Sequence, residues 1–385
     1  MSTRDPAARS GVYPLMSPLA RRLLCAAVLS LGLAACGGKD KKGAAEPGQT
    51  EGGASAGQTG AGAQTGQDGQ GEAQRPPGVG PPGLDLTPAE KQKRVAAHLK
   101  RGQTALDTSR DPDTAANEAR QALAVDETSV DAMVLLAHAH YAKGYYDLVQ
   151  DVLDKALQRG GGNNKKLHFL LGMVHDRNKK PDEALAAYQK AVAIDPSYKS
   201  ALMNLGVHQL RNKRFQEAVS LYERLTGQLA YRTPASYTNL GSAYRGMSAE
   251  FATSDVNRRN ELLLKAERSY KQALATNRNY PNAYYNMGLL YLDADPFPEG
   301  RTDMDFIKRL QRAKSQFDEY RRLPGADQKL ADEQVSVAQK LIEKEERARQ
   351  KAREREAKQK ARDAKDAQDK AKEEAEKAKG TTPTP

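Results

Sequence analysis

The spacing of apolar residues divides the chain into segments of different kinds. A short apolar run occupies residues 23–33, and between Gly37 and Gly83 the only large aliphatic side chain is Val79. From about residue 87 to 325, apolar and small residues recur at helical spacing, and the alternation typical of strands is absent. After Ile342 no Leu, Ile, Val, Phe or Met occurs. We therefore expect an all-α chain whose core lies within residues 87–325.

A self-similar motif runs through the helical segment. Gly172 is followed by Ala184, Tyr188 and Ala191 at offsets of 12, 16 and 19 residues, and by Pro196 at an offset of 24. The small residues would lie where two helices cross, the tyrosine would fill the space beside them, and the proline would end the second helix. Start signals of the cap-plus-proline type support helices, and they occur at Thr87-Pro88, Asp111-Pro112 and Thr233-Pro234.

The same register recurs along the chain at Leu136-Ala137, Leu205-Gly206, Leu240-Gly241 and Met287-Gly288, with a weaker first copy around Leu99. This pattern resembles the tetratricopeptide repeat, a pair of antiparallel helices of about 34 residues. The resemblance implies a solenoid of about six helix pairs. We expect a repeat domain over 87–325 and a charged helix with a tail over 326–385.

The last two repeats carry insertions. Gly241 and Ala266 are separated by 25 residues, as are Gly288 and Ala313, where the regular interval is 12. Ser254-Asp255 and Thr302-Asp303, each followed by apolar residues at helical spacing, suggest that part of each insertion extends the second helix backwards. We expect the remainder to form loops, and such loops are candidate docking surfaces. The acidic loop after Asp293 lacks the ligand spacing of a calcium site, so no metal is expected there.

Asparagines two residues before the repeat glycine suggest a peptide-binding groove. Asn204, Asn239 and Asn286 share this position on first helices, which line the groove in tetratricopeptide repeat arrays. An amide can both donate to and accept from an extended peptide backbone, so three in line could hold a peptide. An equally simple interpretation is that asparagine is common at this repeat position. Arg245 and Tyr285 complete the predicted groove.

The N-terminal segment has the layout of a bacterial secretory signal. Arg21 and Arg22 precede the apolar run, which is too short to span a bilayer and ends in Leu-Ala-Ala-Cys at Cys36. This resembles the lipobox of bacterial lipoproteins, which implies cleavage between Ala35 and Cys36 and acylation of Cys36 with chains such as palmitate. Gly37 then implies the outer membrane, with the protein facing the periplasm. The segment 36–86, rich in Gly, Gln and Pro, is predicted to be a disordered linker.

Charge and residue counts exclude several kinds of activity. The formal net charge of +11 is spread over the signal and the repeats without a like-charged block, which argues against nucleic acid. No catalytic motif is present, and His168 and His175 are expected to be core residues. We predict no enzyme activity, no cofactor and no small-molecule substrate. In the C-terminal segment, acid-first pairs such as Glu345 with Arg349 favour a solvated helix.

The order of lipidated cysteine, linker, repeats and charged end resembles the tetratricopeptide repeat lipoprotein of the myxobacterial adventurous gliding-motility machinery. That resemblance implies a membrane-anchored scaffold that binds other envelope or motility-complex proteins through the groove and the inserted loops. The alternatives are an assembly factor for a pilus secretin or an outer-membrane complex, similar to a pilotin, and a regulator of cell-wall enzymes.

Overall fold

The computed structural model describes residues 86–300 and 302–379, with side chains described as far as Glu374. The predicted signal, the cleavage site and nearly all of the predicted linker lie outside these described residues. The described part is almost entirely helical, as the sequence predicts, with thirteen α-helices and one short hairpin. It divides into two compact units, 86–162 and 163–379.

The first unit contains two helix pairs. The helices are α1 (Pro88–Thr104), α2 (Pro112–Val125), α3 (Val130–Lys143) and α4 (Tyr146–Gln158). Helix α1 packs on α2 and α3 packs on α4, while α2 also contacts α3. The predicted start signals act as caps: Thr87 and Glu90 form a capping box, and Asp111 accepts hydrogen bonds from the backbone N–H groups of Asp113 and Thr114. A π-helical turn, Ala105–Ser109, follows α1, and a 3₁₀ turn, Gly161–Asn163, follows α4.

The second unit contains four further pairs and a long last helix. Within each pair the two helices pack on each other, and each second helix also contacts the first helix of the next pair. Six pairs are therefore present in the described residues, which confirms the predicted number. The helices are α5 (Lys165–Arg177), α6 (Pro181–Ile194), α7 (Lys199–Arg211), α8 (Phe215–Thr226), α9 (Pro234–Glu250), α10 (Val256–Thr276), α11 (Pro281–Asp293), α12 (Phe306–Arg322) and α13 (Gln328–Lys379).

The repeat glycines make room for an aromatic ring from the second helix. A Cβ added to Gly172 would lie 2.5 Å from the ring of Tyr188, and one added to Gly288 would lie 2.6 Å from that of Phe317. Gly206 with Tyr222 and Gly241 with Tyr270 repeat the contact. These rings are fully buried. The helices can therefore approach closely only because glycine stands at the crossing.

The first insertion lengthens both helices of its pair. Helix α9 has 17 residues and α10 has 21, against 13 and 12 in α7 and α8. Asp255 caps α10 by accepting a hydrogen bond from the Arg258 N–H at 2.9 Å. The backward extension predicted for the second helix is thus confirmed, and a forward extension of α9 accompanies it.

The second insertion forms a small hairpin that packs into the core. Strands β1 (Pro298–Glu299) and β2 (Thr302–Asp303) pair antiparallel, and β1 contacts α10. Phe297 is buried and its ring lies 5.2 Å, centroid to centroid, from that of Tyr291. Helix α12 begins at Phe306 and has 17 residues against 14 in α6, so the backward extension predicted for this second helix is confirmed as well. Thr302 and Asp303 themselves form β2, and Asp305 caps the helix. The two insertions therefore pack together, because β1 rests on the extended helix α10.

Helix α13 has one packed half and one exposed half. Ala331, Ala338 and Ile342 are buried, and α13 packs along α12. Val337 is 39% exposed, because the buried stripe of α13 follows residues 331, 338 and 342. Every side chain from residue 351 to 374 is exposed. Among the described residues, none of the helices combines the length and the apolar composition that a bilayer crossing requires.

Candidate peptide-binding groove

The predicted groove lies on the first helices of the second unit. Helix α7 contacts α9, and α9 contacts α11, so these first helices form one continuous side of the stack. Asn204, Asn239 and Asn286 occupy the same position on the three helices, two residues before the repeat glycine. The structure therefore brings the predicted asparagines onto corresponding positions of adjacent helices.

Two of the three asparagines already hydrogen-bond within the fold. Asn239 donates from Nδ2 to the hydroxyl of Tyr222 on the preceding pair, at 3.2 Å. Asn286 is buried, donates to the Asn282 carbonyl at 2.8 Å and accepts from the Ser242 hydroxyl at 3.3 Å. The Ser242 hydroxyl also lies 3.2 Å from that of Tyr270. These amides therefore join successive repeats, and only the Asn239 carbonyl oxygen is left without an internal donor among the described residues.

Asn204 differs from its two counterparts. It is half-buried on α7, and among the described residues its amide makes no hydrogen bond. Tyr188 stands one repeat before Tyr222, so its hydroxyl would be the corresponding partner for Asn204. The Tyr188 hydroxyl instead donates to Asp176 Oδ2 at 2.9 Å. Asn204 thus keeps both donor and acceptor available for a bound backbone.

Arg245, near the C-terminal end of α9, is held by an ion pair. Its Nη1 donates to Asp293 Oδ2 at 3.0 Å, and its side chain is largely covered. It also lies near the hydroxyl of Tyr270. Any partner that uses Arg245 has to share it with Asp293, so its contribution to binding is limited.

Tyr285 does not line a surface. The sequence placed it in the groove, but it is 1% exposed and lies between the rings of Phe317 and Tyr320, at centroid distances of 5.6 and 5.2 Å. Burial raises the pKa of its hydroxyl to about 12. The reason is its position three residues before Gly288, which turns the side chain toward the second helix of its own pair. Tyr285 is therefore a core residue.

A half-buried polar junction, which the sequence did not predict, joins α5 and α7. Asp176 accepts from His208 Nε2 at 3.0 Å and from the Tyr188 hydroxyl, and Arg211 Nη1 lies 3.5 Å from its Oδ1. Burial would raise the pKa of Asp176, but these hydrogen bonds and positive charges outweigh it and lower the pKa. An alignment of the repeats would have pointed to this junction, because Asp176 stands at the position where the next repeat has Leu210.

The predictions about chemistry can be compared with the described residues. His168 is buried, as expected for a core histidine, and it has a partner within the fold. No group of three or more His, Cys, Asp or Glu side chains in the described part of the chain has the arrangement of a metal site. Cys36 and Ala35, the predicted lipidation and cleavage residues, lie outside the described residues.

Comparison with known families identifies the repeats. The family model described as tetratricopeptide repeat matches residues 99–164, 136–199 and 169–232. The chain therefore contains tetratricopeptide repeats between residues 99 and 232. The helix pairs that follow have the same crossing of a glycine with an aromatic ring.

Two curated proteins and one solved structure illustrate what the chain is similar to. NADPH oxidase activator 1 of Rattus norvegicus is 32% identical over 80 residues, which are 21% of this chain and 18% of that protein. The chloroplastic tetratricopeptide repeat domain-containing protein PYG7 of Arabidopsis thaliana is 24% identical over 119 residues, 30% of this chain and 40% of that protein. The chain thus matches less than half the length of either relative.

The solved structure is that of Pseudomonas aeruginosa pilF. It shares 17% sequence identity and a TM-score of 0.48, over 65% of this chain and 98% of that chain. Tetratricopeptide repeat proteins are typically non-catalytic and bind protein partners. The fold of this chain is consistent with a protein–protein interaction scaffold.

Proposed function

We propose that this chain is a membrane-anchored scaffold of a bacterial envelope complex, and that it captures an extended segment of a partner protein along α7 and α9. The anchor would be the acylated Cys36, and the location the periplasmic face of the outer membrane. We assign this complex to a gliding-motility apparatus because signal, linker, repeats and charged helix follow one another along the chain in the order described for the sequence. The observation that carries the binding proposal is the unengaged amide of Asn204 among groups that already hydrogen-bond internally.

The chemistry of capture follows from the free groups. The Asn204 amide can donate to one peptide carbonyl and accept from one peptide N–H, so it recognises a backbone rather than a particular side chain. The Asn239 carbonyl oxygen offers a second acceptor one repeat away. Because Asn286 and Tyr285 are engaged in the fold, we expect binding to be centred on α7 and α9 and not on α11.

Site-specific photocrosslinking in cells tests this proposal. A photoreactive amino acid would replace Asn204 in the full chain and, as a matched control, Lys190 on the exposed face of α6. We expect position 204 to crosslink to an envelope protein in the outer-membrane fraction, and position 190 to give no such product. Cys36→Ala should remove the crosslinked species from that fraction.

The identity of the crosslinked protein separates the candidate machines. A motility component would support the proposed apparatus, and a secretin subunit would replace it with the pilus-assembly alternative. Equal crosslinking from both positions would show that the α7 face is not the binding site. Asn204→Ala should reduce capture without lowering the melting temperature, because this amide makes no hydrogen bond within the described residues.

A further inference from the structure

Two successive repeats carry the same basic sequence in the turn between their helices. Residues 177–180 read Arg-Asn-Lys-Lys and residues 211–214 read Arg-Asn-Lys-Arg, 34 positions later. The first turn joins α5 to α6 and the second joins α7 to α8. The last two residues of each turn are exposed. The repeats thus place two basic turns side by side on one edge of the unit.

Each turn has a lysine in a backbone conformation that favours glycine. Lys179 has φ 57° and Lys213 has φ 58°. At the corresponding position of an earlier pair the residue is Gly144, with φ 83°. A side chain with a Cβ is strained in the left-handed region, so lysine is retained here at a cost in stability. The cost is the same in both repeats.

The next residue of each turn also works against local stability. Lys180 and Arg214 occupy the N-cap positions of α6 and α8, and neither caps its helix with a side-chain hydrogen bond. In the other two second helices of this unit, α10 and α12, Asp255 and Asp305 fill that position and accept hydrogen bonds from backbone N–H groups. A positive charge at a helix N-terminus is further disfavoured by the helix dipole.

A purely structural explanation covers only part of the motif. Arg177 and Arg211 lie in the last turns of α5 and α7, where a positive charge offsets the negative end of the helix dipole. That reasoning does not extend to the four basic residues that follow beyond the helix ends, namely Lys179, Lys180, Lys213 and Arg214. Repeated departures from local preference are expected at functional positions.

The two turns are fixed relative to each other by the half-buried polar junction between α5 and α7. Asp176, the residue before the first turn, accepts hydrogen bonds from His208 and Tyr188. Arg211, the first residue of the second turn, lies 3.5 Å from the same carboxylate. The basic side chains are therefore presented from two turns that are linked through the Asp176 carboxylate.

We propose that residues 177–180 and 211–214 form a docking surface for an acidic segment of a partner protein, separate from the groove of Asn204. Lys179, Lys180, Lys213 and Arg214 would pair with carboxylates on an extended chain, which can bridge the two turns. Asp182, Glu183 and Glu217 follow in the first turns of α6 and α8, so the excess positive charge is local and suits a short segment.

A bilayer fits this edge less well than a peptide. In the next two pairs the corresponding connections are the insertions, and these expose a carboxylate at Asp255 in the first and at Asp303 in the second. An anionic membrane laid along the edge would meet those charges as well as the basic turns. A discrete acidic segment can contact the two basic turns alone.

The test removes the charges while improving the local backbone. In the full chain, glycine would replace Lys179 and Lys213, and serine would replace Lys180 and Arg214. Binding of labelled hexaglutamate would be followed by fluorescence anisotropy. We expect at least about a tenfold loss of affinity, because several exposed ion pairs disappear together. The melting temperature should stay the same or rise, since glycine and serine suit these positions better.

Matched variants decide the outcome. A control removes the same number of exposed basic residues from other faces of the unit, with alanine at Lys190, Lys199, Arg268 and Lys340. This control should bind hexaglutamate within about twofold of the parent chain. Asn204→Ala should do the same, because loss of partner capture by that variant would test only the proposed groove. Three results would each overturn the proposal: absent hexaglutamate binding by the parent chain, equal losses in the test and control variants, and phosphatidylglycerol vesicles binding in preference to the peptide.

Discussion

Helix pairs α5–α8 and α9–α12 share one interior and differ at one edge. In both regions a glycine on the first helix lies under an aromatic ring of the second, at nearly the same distance. In α5–α8 the two helices of a pair are joined by tight basic turns, whereas in α9–α12 they are joined by insertions that pack on each other. The repeat core therefore leaves the connections free to diverge.

The two regions also differ in the hydrogen-bonding groups that their first helices leave available to a partner. Around α9 and α11 the polar groups form closed pairs, Ser242 with Asn286 and Arg245 with Asp293. On α7, Asn204 has no such partner among the described residues. A region that satisfies its own polar groups is stabilised but has less capacity to bind. We infer that the insertion-bearing pairs chiefly support the array, while the regular pairs, together with the Asn239 position on α9, carry its contact surfaces.

Replacing the buried Arg309 should have the largest effect on this comparison. Arg309 is 2% exposed, and its Nη1 donates to the carbonyls of Tyr291 and Leu292 at 2.5 and 2.9 Å. Its Nη2 lies 3.5 Å from Asp295 Oδ1, so it ties the end of α11 to the second insertion. Arg309→Leu should cost about 3 kcal/mol in the free energy of unfolding, because the carbonyls lose their donor in a buried site. Urea denaturation measures this loss.

The nearby Arg312 provides the control for that experiment. It pairs with Glu299 at 2.8 Å from a partly exposed position. Arg312→Leu should change the free energy of unfolding by less than about 1 kcal/mol, since exposed ion pairs contribute little. Equal effects from the two variants would mean that the second insertion is not held by Arg309, and that the two regions do not differ in the way described.

Alanine at the repeat glycines tests the shared interior. Gly172→Ala and Gly288→Ala should each cost about 2 kcal/mol, because a Cβ at 2.5 or 2.6 Å from the facing ring forces the helices apart. The two losses should be similar, one from each region. Gly162→Ala is the control, since nothing lies within 4 Å of a Cβ added there. Thermal unfolding of the three variants would reveal any inequality between the regions.

The repeat core was predictable because its spacing is imposed by packing. A glycine, an alanine and an aromatic ring have to recur in register if two helices are to cross closely, so Gly172 and Tyr188 identified the fold and the number of pairs. Helix starts were predictable for the same reason where a cap such as Thr87 or Asp255 is written into the sequence. The extended start of α12 at Phe306 was predictable in the same way, but the pairing of Thr302 and Asp303 in the hairpin, which leaves Asp305 to cap the helix, was not.

The candidate site was less predictable because register does not reveal a side chain's partners. The three asparagines share a position, but Asn286 is engaged through Ser242, and Asn204 is left without a partner because Asp176 takes the Tyr188 hydroxyl. The basic turns were visible as sequence, but their meaning depends on backbone angles. The identity of Lys179 and Lys213 as lysines does not reveal that both adopt a left-handed backbone conformation suited to glycine.

Removal of the exposed half of α13 should have the smallest effect, and it contrasts two parts of a single helix. Deletion of residues 351–379 should change the free energy of unfolding by less than about 0.5 kcal/mol, because every side chain described there is exposed. Ile342→Ala, in the packed half, should cost about 2 kcal/mol, since Ile342 is buried beside α12. Denaturant unfolding of both variants compares them directly. A large loss from the deletion would show that the exposed half contacts the rest of the molecule in solution, whereas a small loss leaves its length and charge available for a role outside the fold.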